Sequence, residues 1–307
     1  VLLTCPPMLK FAKTEKYQQW FKTHNLQVDC PDMTQTMTEE ELCQIIGNYD
    51  GWIIGDDPAT RKVFETGKKG KLKACVKWGV GTDNVDFQAC QDLDIPITNT
   101  PQMFGEEVSD VAIGYLLCLS RKLHVIHQSV TNSSLWPKPS GETLVDKKVC
   151  VVGFGDIGKC VVRKLQAFKM DIWVSDPAYL KTSSTPGTTG ITSGITFDSL
   201  ENCARNANYL ISCCPLNNHT HHLVNNDIIQ LCQARVKIIN VGRGPVICEK
   251  DIIKNLENGQ IDSVGFDVFE EEPLPLNSTL RQYPQNIFGT HNGSNTIEAV
   301  DKVSYLV

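Results

Sequence analysis

Three residues in the last quarter of the chain carry side chains suited to acid–base chemistry at a carbonyl: Arg243, Glu272 and His291. Each follows a short apolar run, in the segments Asn240-Val241-Gly242-Arg243-Gly244, Phe266-Asp267-Val268-Phe269-Glu270-Glu271-Glu272-Pro273 and Gly289-Thr290-His291-Asn292-Gly293. Hydride transfer to a 2-oxo acid converts a carbonyl oxygen into a hydroxyl, so a proton donor with a pKa near neutrality must stand at that oxygen. A histidine meets that need, and in the reverse direction it serves as the base. A carboxylate on the other imidazole nitrogen fixes the tautomer and favours the imidazolium, the role open to Glu272. The substrate's own carboxylate calls for a planar cation, and Arg243 offers paired hydrogen bonds there while polarising the carbonyl. Taken singly, each has a bland reading: a surface cation, one of three acids on a turn, a strand-end histidine. Their common placement after strands turns the reading toward catalysis.

For the three to meet, the strands that precede them must lie in one open parallel sheet, whose carboxyl ends line the ligand crevice. The run Val149–Asp176 marks the start of that sheet. An apolar strand enters the turn Gly153-x-Gly155-x-x-Gly158, a helix-period segment follows, and a second apolar run ends in Asp176, eighteen residues past Gly158. Gly153 permits the tight turn, Gly155 lets backbone approach a pyrophosphate, and Gly158 lets the helix pack on its strand. Asp176 is placed to accept ribose hydroxyls. Its charge repels a 2′-phosphate, and Pro177, Ala178 and Tyr179 supply no arginine to receive one, so NAD is favoured over NADP. After a Thr/Ser/Gly-rich loop at 181–194, strands are predicted at Tyr209–Ser212, Ile238–Val241, Val264–Phe266 and Ile287–Gly289, giving a doubly wound sheet.

Residues 1–99 alternate apolar and helical stretches, with strand runs at 1–4, 26–28, 52–54, 72–76 and 95–98, and read as a second parallel α/β unit without a glycine-rich turn. Its loop Lys77-Trp78-Gly79-Val80-Gly81-Thr82-Asp83-Asn84 is the richest in functional residue types. Lys77 reads as a substrate-binding or a merely solvated cation, and Trp78 as a substrate-facing ring or a core filler. Thr100-Pro101 marks the boundary, and a long helix from about Glu106 to Leu123 and an irregular arm, Ser129–Thr143, lead into the glycine-rich unit.

The 307 residues suffice for two cores. A net charge of −6, with basic residues scattered, gives no footprint for nucleic acid or an anionic membrane, and no apolar run reaches transmembrane length. Thirteen dispersed cysteines without a CxxC pair point to free thiols in a reducing cytoplasm, with Cys213-Cys214 as strand-end packing rather than a redox pair. His219, His221 and His222 suggest a metal, but no carboxylate or cysteine at matching spacing completes a site, so none is expected.

The segments KWGVGTDNVD (77–86), VVGFGDIG (151–158), CCPLNNHTHHLVN (213–225), INVGRG (239–244), FDVFEEEP (266–273) and THNG (290–293) together resemble those of the D-isomer-specific 2-hydroxyacid dehydrogenase family over nearly the whole chain. The resemblance implies a catalytic trio of Arg243, Glu272 and His291. It implies cofactor contacts at Asp156, Ile157, Asp176, Cys214, Pro215, Val241, Asp267 and Gly293, and a substrate carboxylate held by backbone around Val80 and Gly81. It also implies a substrate-binding domain of residues 1–99 plus 291–307, an NAD-binding Rossmann domain of 100–290, a closing cleft and a homodimer. A phosphorylated substrate of the 3-phosphoglycerate type is the alternative within the family, with Lys77, Arg61 or Lys62 as its cation. A non-enzymatic NADH-sensing corepressor is the alternative outside it. Asp156 departs from the pattern, because a carboxylate beside a pyrophosphate is unfavourable unless it points to solvent.

Overall fold

The computed structural model describes residues 1–33, 35–180 and 194–307, so the loop expected at 181–194 lies, except for Gly194, outside the described residues. Contacts divide the chain into two units, Val1–Met103 with Asn295–Val307, and Phe104–Ser294. Each is an α/β unit built on a parallel sheet.

In the first unit, β1 (Leu2–Leu3), β2 (Gly51–Ile54), β3 (Ala74–Lys77) and β4 (Ile97–Asn99) pair in that order. The strand expected at 26–28 is reduced to one bridge, Leu2 with Asp29, on the outer edge of β1. The core gathers Leu42 and Ile46, Trp52 and Ile54 of β2, and Val63 and Phe64 of the helix Arg61–Lys69. The helix Glu39–Ile45 opens on a capping box, with Thr38 accepting from Glu41 N while the Glu41 carboxylate accepts from Thr38 N. The closing helix Ile297–Ser304 returns to this unit, where Tyr305 stacks on Tyr17 at 5.3 Å between ring centroids.

The second unit contains β5 (Lys148–Val152), β6 (Asp171–Ser175), β7 (Ile195–Phe197), β8 (Tyr209–Ser212), β9 (Val236–Asn240), β10 (Ile261–Phe266) and β11 (Ile287–Phe288). They lie parallel in the order β11-β10-β9-β8-β5-β6-β7. The strand order reverses between β5 and β8, the position where an open sheet leaves a crevice at its carboxyl edge. Both faces are covered, which is why these strands read as continuous apolar runs instead of alternating ones. Cys150, Val152, Leu210, Ile238 and Val264 pack with the helices Leu200–Ala204, Asn226–Leu231 and Glu249–Glu257. The helices Gly105–Arg121 and Asp156–Ala167 pack on the sheet and on each other.

The units divide at 103/104 and 294/295, four residues later than the sequence suggests at each junction. The second shift has a clear cause: Gly289 N bonds Phe266 O at 2.8 Å, His291 N bonds Asp267 O at 2.7 Å and Gly293 N bonds the Asp267 carboxylate at 2.8 Å. These bonds secure the 289–294 segment to the end of β10. Among the described residues, no helix is long and apolar enough to cross a membrane.

Candidate active site

At the switch point, β5 runs into the glycine turn. Gly153 has φ +95°, and a β-carbon there would come within 2.9 Å of the Cys214 backbone at the end of β8. A β-carbon at Gly158 would run into the Gly153 carbonyl, so this glycine lets the helix Asp156–Ala167 close on its strand. At Gly155 a β-carbon would meet nothing within 4 Å. That open space, at the N-cap of a helix whose cap carries no side-chain bond, suits an approaching pyrophosphate. The Asp176 carboxylate accepts from Phe154 N at 2.8 Å and Ala178 N at 2.9 Å, fixing it beside the turn. Val241 and Cys214 are buried at the ends of β9 and β8, and Pro215 is exposed just beyond. Burial pushes the Cys214 thiol up to about 11, which keeps it protonated and supports packing over redox chemistry.

Asp156 is the exception in an otherwise fitting cradle. Its Oδ2 is buried without a hydrogen-bond partner among the described residues. The carboxylate lies against Gly105, where a β-carbon would come within 2.8 Å of the carboxylate carbon. The Oδ2 atom is therefore turned away from solvent. Its charge lies at the N-termini of two helices, Gly105–Arg121 and Asp156–Ala167, whose partial positive ends favour an anion.

The trio forms at the ends of β9, β10 and β11. Asn240 shapes the first loop, accepting from Gly242 N at 3.2 Å and donating to Arg243 O at 2.9 Å. Gly244 follows because a β-carbon there would overlap the Phe269 carbonyl, so the loops carrying Arg243 and Glu272 touch through backbone. Glu272 accepts from Phe269 N at 2.9 Å through one oxygen and lies 2.8 Å from His291 Nδ1 through the other. With Nδ1 engaged by the carboxylate, His291 turns Nε2 toward Arg243 Nη1, 3.5 Å away. The imidazole and the carboxylate are about a quarter exposed, at 25% and 26%. Basic nitrogen, guanidinium and solvent thus share one spot.

Asp267 supports this arrangement more than its expected role would require. It is buried, and its carboxylate accepts from Tyr115 Oη at 3.1 Å and from Gly293 N at 2.8 Å, while its carbonyl accepts from His291 N. Burial and the neighbouring Asp267 raise the Tyr115 phenol, which holds its proton for that bond. Tyr115 escapes sequence reasoning because its position in the long helix is indistinguishable from an ordinary core residue.

In the first unit, Val80 is exposed and Gly81 half-buried. Lys77 is not a solvated cation. It is 2% exposed, and its ammonium donates to Gly55 O at 2.6 Å, Trp78 O at 3.3 Å and Asp56 Oδ1 at 3.1 Å, which uses all three protons. It is a cation that organises this unit's own loops. Trp78 is buried at 5% exposure, a core filler. The fold brings Cys248 and Glu270 close to His222, a proximity that residue spacing does not encode.

A crevice of this build, with a glycine turn at the switch point and a proton donor four strands away, defines a dinucleotide-dependent oxidoreductase. Comparison with known proteins narrows the class. The NAD binding domain of the D-isomer specific 2-hydroxyacid dehydrogenases matches residues 113–293. A glyoxylate/hydroxypyruvate reductase of Arabidopsis thaliana is 33% identical over 95% of this chain and 84% of its own. A D-3-phosphoglycerate dehydrogenase of Methanocaldococcus jannaschii is 31% identical over 86% of this chain and 49% of its own. The solved D-lactate dehydrogenase of Escherichia coli aligns with a TM-score of 0.81 at 25% identity, covering 99% of this chain and 93% of its own. The chain belongs to the D-isomer-specific 2-hydroxyacid dehydrogenase family, NAD-dependent oxidoreductases that act on a CH–OH group.

Proposed function

We propose that the chain reduces a small, unphosphorylated 2-oxo acid of the glyoxylate or hydroxypyruvate type to its D-2-hydroxy acid, with Arg243, Glu272 and His291 as the catalytic residues. NAD, when bound, supplies or receives the hydride. The turn Gly153, Gly155, Asp156, Ile157 and Gly158 would hold its pyrophosphate, Asp176 its ribose, and Cys214, Pro215, Val241, Asp267 and Gly293 its remaining length. Arg243 binds the substrate carboxylate and polarises the carbonyl, with the backbone of Val80 and Gly81 as further carboxylate donors. His291 holds the transferable proton on Nε2, and Glu272 fixes the tautomer that makes this possible. The observation that carries the reading is the chain of contacts Glu272, His291 Nδ1, His291 Nε2, Arg243, at 2.8 and 3.5 Å.

The choice of an unphosphorylated acid rests on the cations available in the first unit. Lys77 is buried and fully bonded, Arg61 pairs with Asp92 at 2.7 Å, and Lys62 pairs with Glu39 at 2.8 Å. A 3-phosphoglycerate-type substrate, favoured by the Methanocaldococcus relative, would need one of these to change partners. The exposed apolar residues Leu123, Val130, Leu135 and Trp136 support a homodimer built on the arm and its preceding helix. The free thiols support a cytoplasmic location.

The test is NADH oxidation over a panel of glyoxylate, hydroxypyruvate, phosphohydroxypyruvate and pyruvate, with His291→Gln as control. Turnover on the smaller acids that falls by about 10²- to 10⁴-fold in the variant, with NADH binding retained, is the expected outcome. Equal turnover by the variant would overturn the assignment of His291, and preference for phosphohydroxypyruvate would overturn the substrate.

A further inference from the structure

A second constellation of ligating side chains lies on the unit Phe104–Ser294. His222 sits in the loop beyond β8, Cys248 immediately before the helix Glu249–Glu257, and Glu270 in the loop beyond β10. An imidazole nitrogen, the Cys248 sulfur and a Glu270 carboxylate oxygen all lie within 4.8 Å of one another. Main chain holds each in place: His222 N bonds Pro245 O at 2.8 Å, Cys248 N bonds Val224 O at 3.0 Å, and Glu270 N bonds the Glu249 carboxylate at 2.7 Å.

A partly exposed imidazole–carboxylate pair, here at 2.9 Å, is common and contributes little stability. It does not account for a thiol as the third member, brought from a separate segment. Metal–ligand bonds of roughly 2.0–2.3 Å set the ligand atoms of a tetrahedral zinc site about 3.2–3.8 Å apart. The present separations, 2.9 Å between His222 and Glu270 and at most 4.8 Å among the three, lie within about 1 Å of that spacing. Mixed nitrogen, sulfur and oxygen donors suit zinc and its neighbours in the transition series, whereas magnesium and calcium require oxygen.

We propose that His222, Cys248 and Glu270 form a binding site for one zinc-class divalent cation, with a fourth position open to water. On binding, Cys248 releases its thiol proton to solvent, and the bond between His222 and Glu270 is replaced by one bond from each to the ion. The ion ties the loop beyond β10 to the start of the helix Glu249–Glu257, two residues before Glu272.

Cobalt(II) titration of the full chain tests this, because a cobalt–thiolate bond has a charge-transfer absorption that nitrogen and oxygen ligands do not produce. One equivalent should develop the band. Cys248→Ser should abolish it, and His222→Ala should weaken zinc, measured against a chromophoric chelator, on the order of a hundredfold. NADH binding by both variants reports that the unit is folded. Should either fail that check, Glu270→Gln, which keeps shape and size, takes its place with the same expected loss of zinc affinity. The absence of a band in the intact chain would overturn the proposal, as would a band undiminished in Cys248→Ser, which would place the ion on another cysteine.

Discussion

His291 holds a left-handed backbone, φ +54°, a conformation that costs a residue with a β-carbon on the order of 1 kcal/mol. Two bonds maintain it, His291 N to Asp267 O and Nδ1 to Glu272, so the ring's direction depends on the carboxylate as much as on the chain. Glu272→Gln keeps size and shape but offers Nδ1 either an amide N–H or an uncharged acceptor. The amide weakens the preference for the tautomer that frees Nε2 and removes the charge that favours the imidazolium. Steady-state kinetics should show kcat down by about 10²- to 10⁴-fold with the dissociation constant of NADH unchanged. An equal fall in NADH affinity would mean that the glutamate supports the fold instead. Asp156 calls for the opposite change. One oxygen of its carboxylate is buried without a hydrogen-bond partner among the described residues, beside the turn assigned to the pyrophosphate, and repulsion between the two charges should outweigh what the helix termini gain from the carboxylate. Asp156→Asn should bind NADH about three- to tenfold more tightly by fluorescence titration. Unchanged affinity would mean that the carboxylate swings aside when the cofactor enters.

At the scale of elements, the sites depend on backbone contacts that no single segment reveals. A β-carbon on Gly244 would enter the Phe269 carbonyl, forcing apart the loops that carry Arg243 and Glu272. Gly244→Ala should therefore lower kcat/KM by on the order of a hundredfold or more, an effect of misplacement far out of proportion to one methyl group. What the sequence makes legible follows the same line. The strands at 209–212 and 264–266 stand out because burial on both faces makes them apolar except for Ser212, and the glycine turn because its spacing is local. The stretch 26–28 misleads because an edge position needs only one bridge, at Asp29. Tyr115 meeting Asp267, and Cys248 and Glu270 meeting His222, join segments whose proximity is set by strand order, which residue spacing does not encode. The first unit has its own buried acid, Asp57, which accepts from Thr4 Oγ1, Met37 N at 2.8 Å and Gly55 N at 3.3 Å. Burial nevertheless outweighs these bonds and raises its carboxyl above the ordinary carboxylate range. A raised folded value means that stability present in acid is lost as the pH climbs through it. Asp57→Asn removes that loss, so the melting temperature of the variant relative to the parent should rise in calorimetry as the pH climbs from the ordinary carboxylate range through the raised value. A difference that stays flat would show the acid to be ionised without penalty.

On the scale of the whole molecule, the two units differ in how the chain builds them. Phe104–Ser294 is one continuous segment, while the other unit needs both ends of the chain, Val1–Met103 and Asn295–Val307. The C-terminal piece contributes the helix Ile297–Ser304, the stacking of Tyr305 on Tyr17 and an ion pair between Lys16 and Asp301 at 2.8 Å. The pair is well exposed and adds little, but Ala299, Val300 and Val303 are fully or almost fully buried, and their loss uncovers apolar surface worth several kcal/mol at about 25 cal/mol per Å². The cofactor turn and the catalytic trio, by contrast, sit wholly in the continuous segment. A chain ending at Ser294 should therefore keep NADH binding within about threefold of the parent, because every group assigned to the cofactor remains and the sheet that carries them keeps its own core. The same truncation should destabilise the first unit, seen as faster hydrogen exchange at Met8, Leu9, Ala12 and Tyr17 than in the parent, and should lower turnover through the loss of an ordered Val80-Gly81 loop. Loss of NADH binding along with turnover would show that the continuous segment does not hold its shape alone, and would remove the basis for assigning the cofactor to that unit independently of the other.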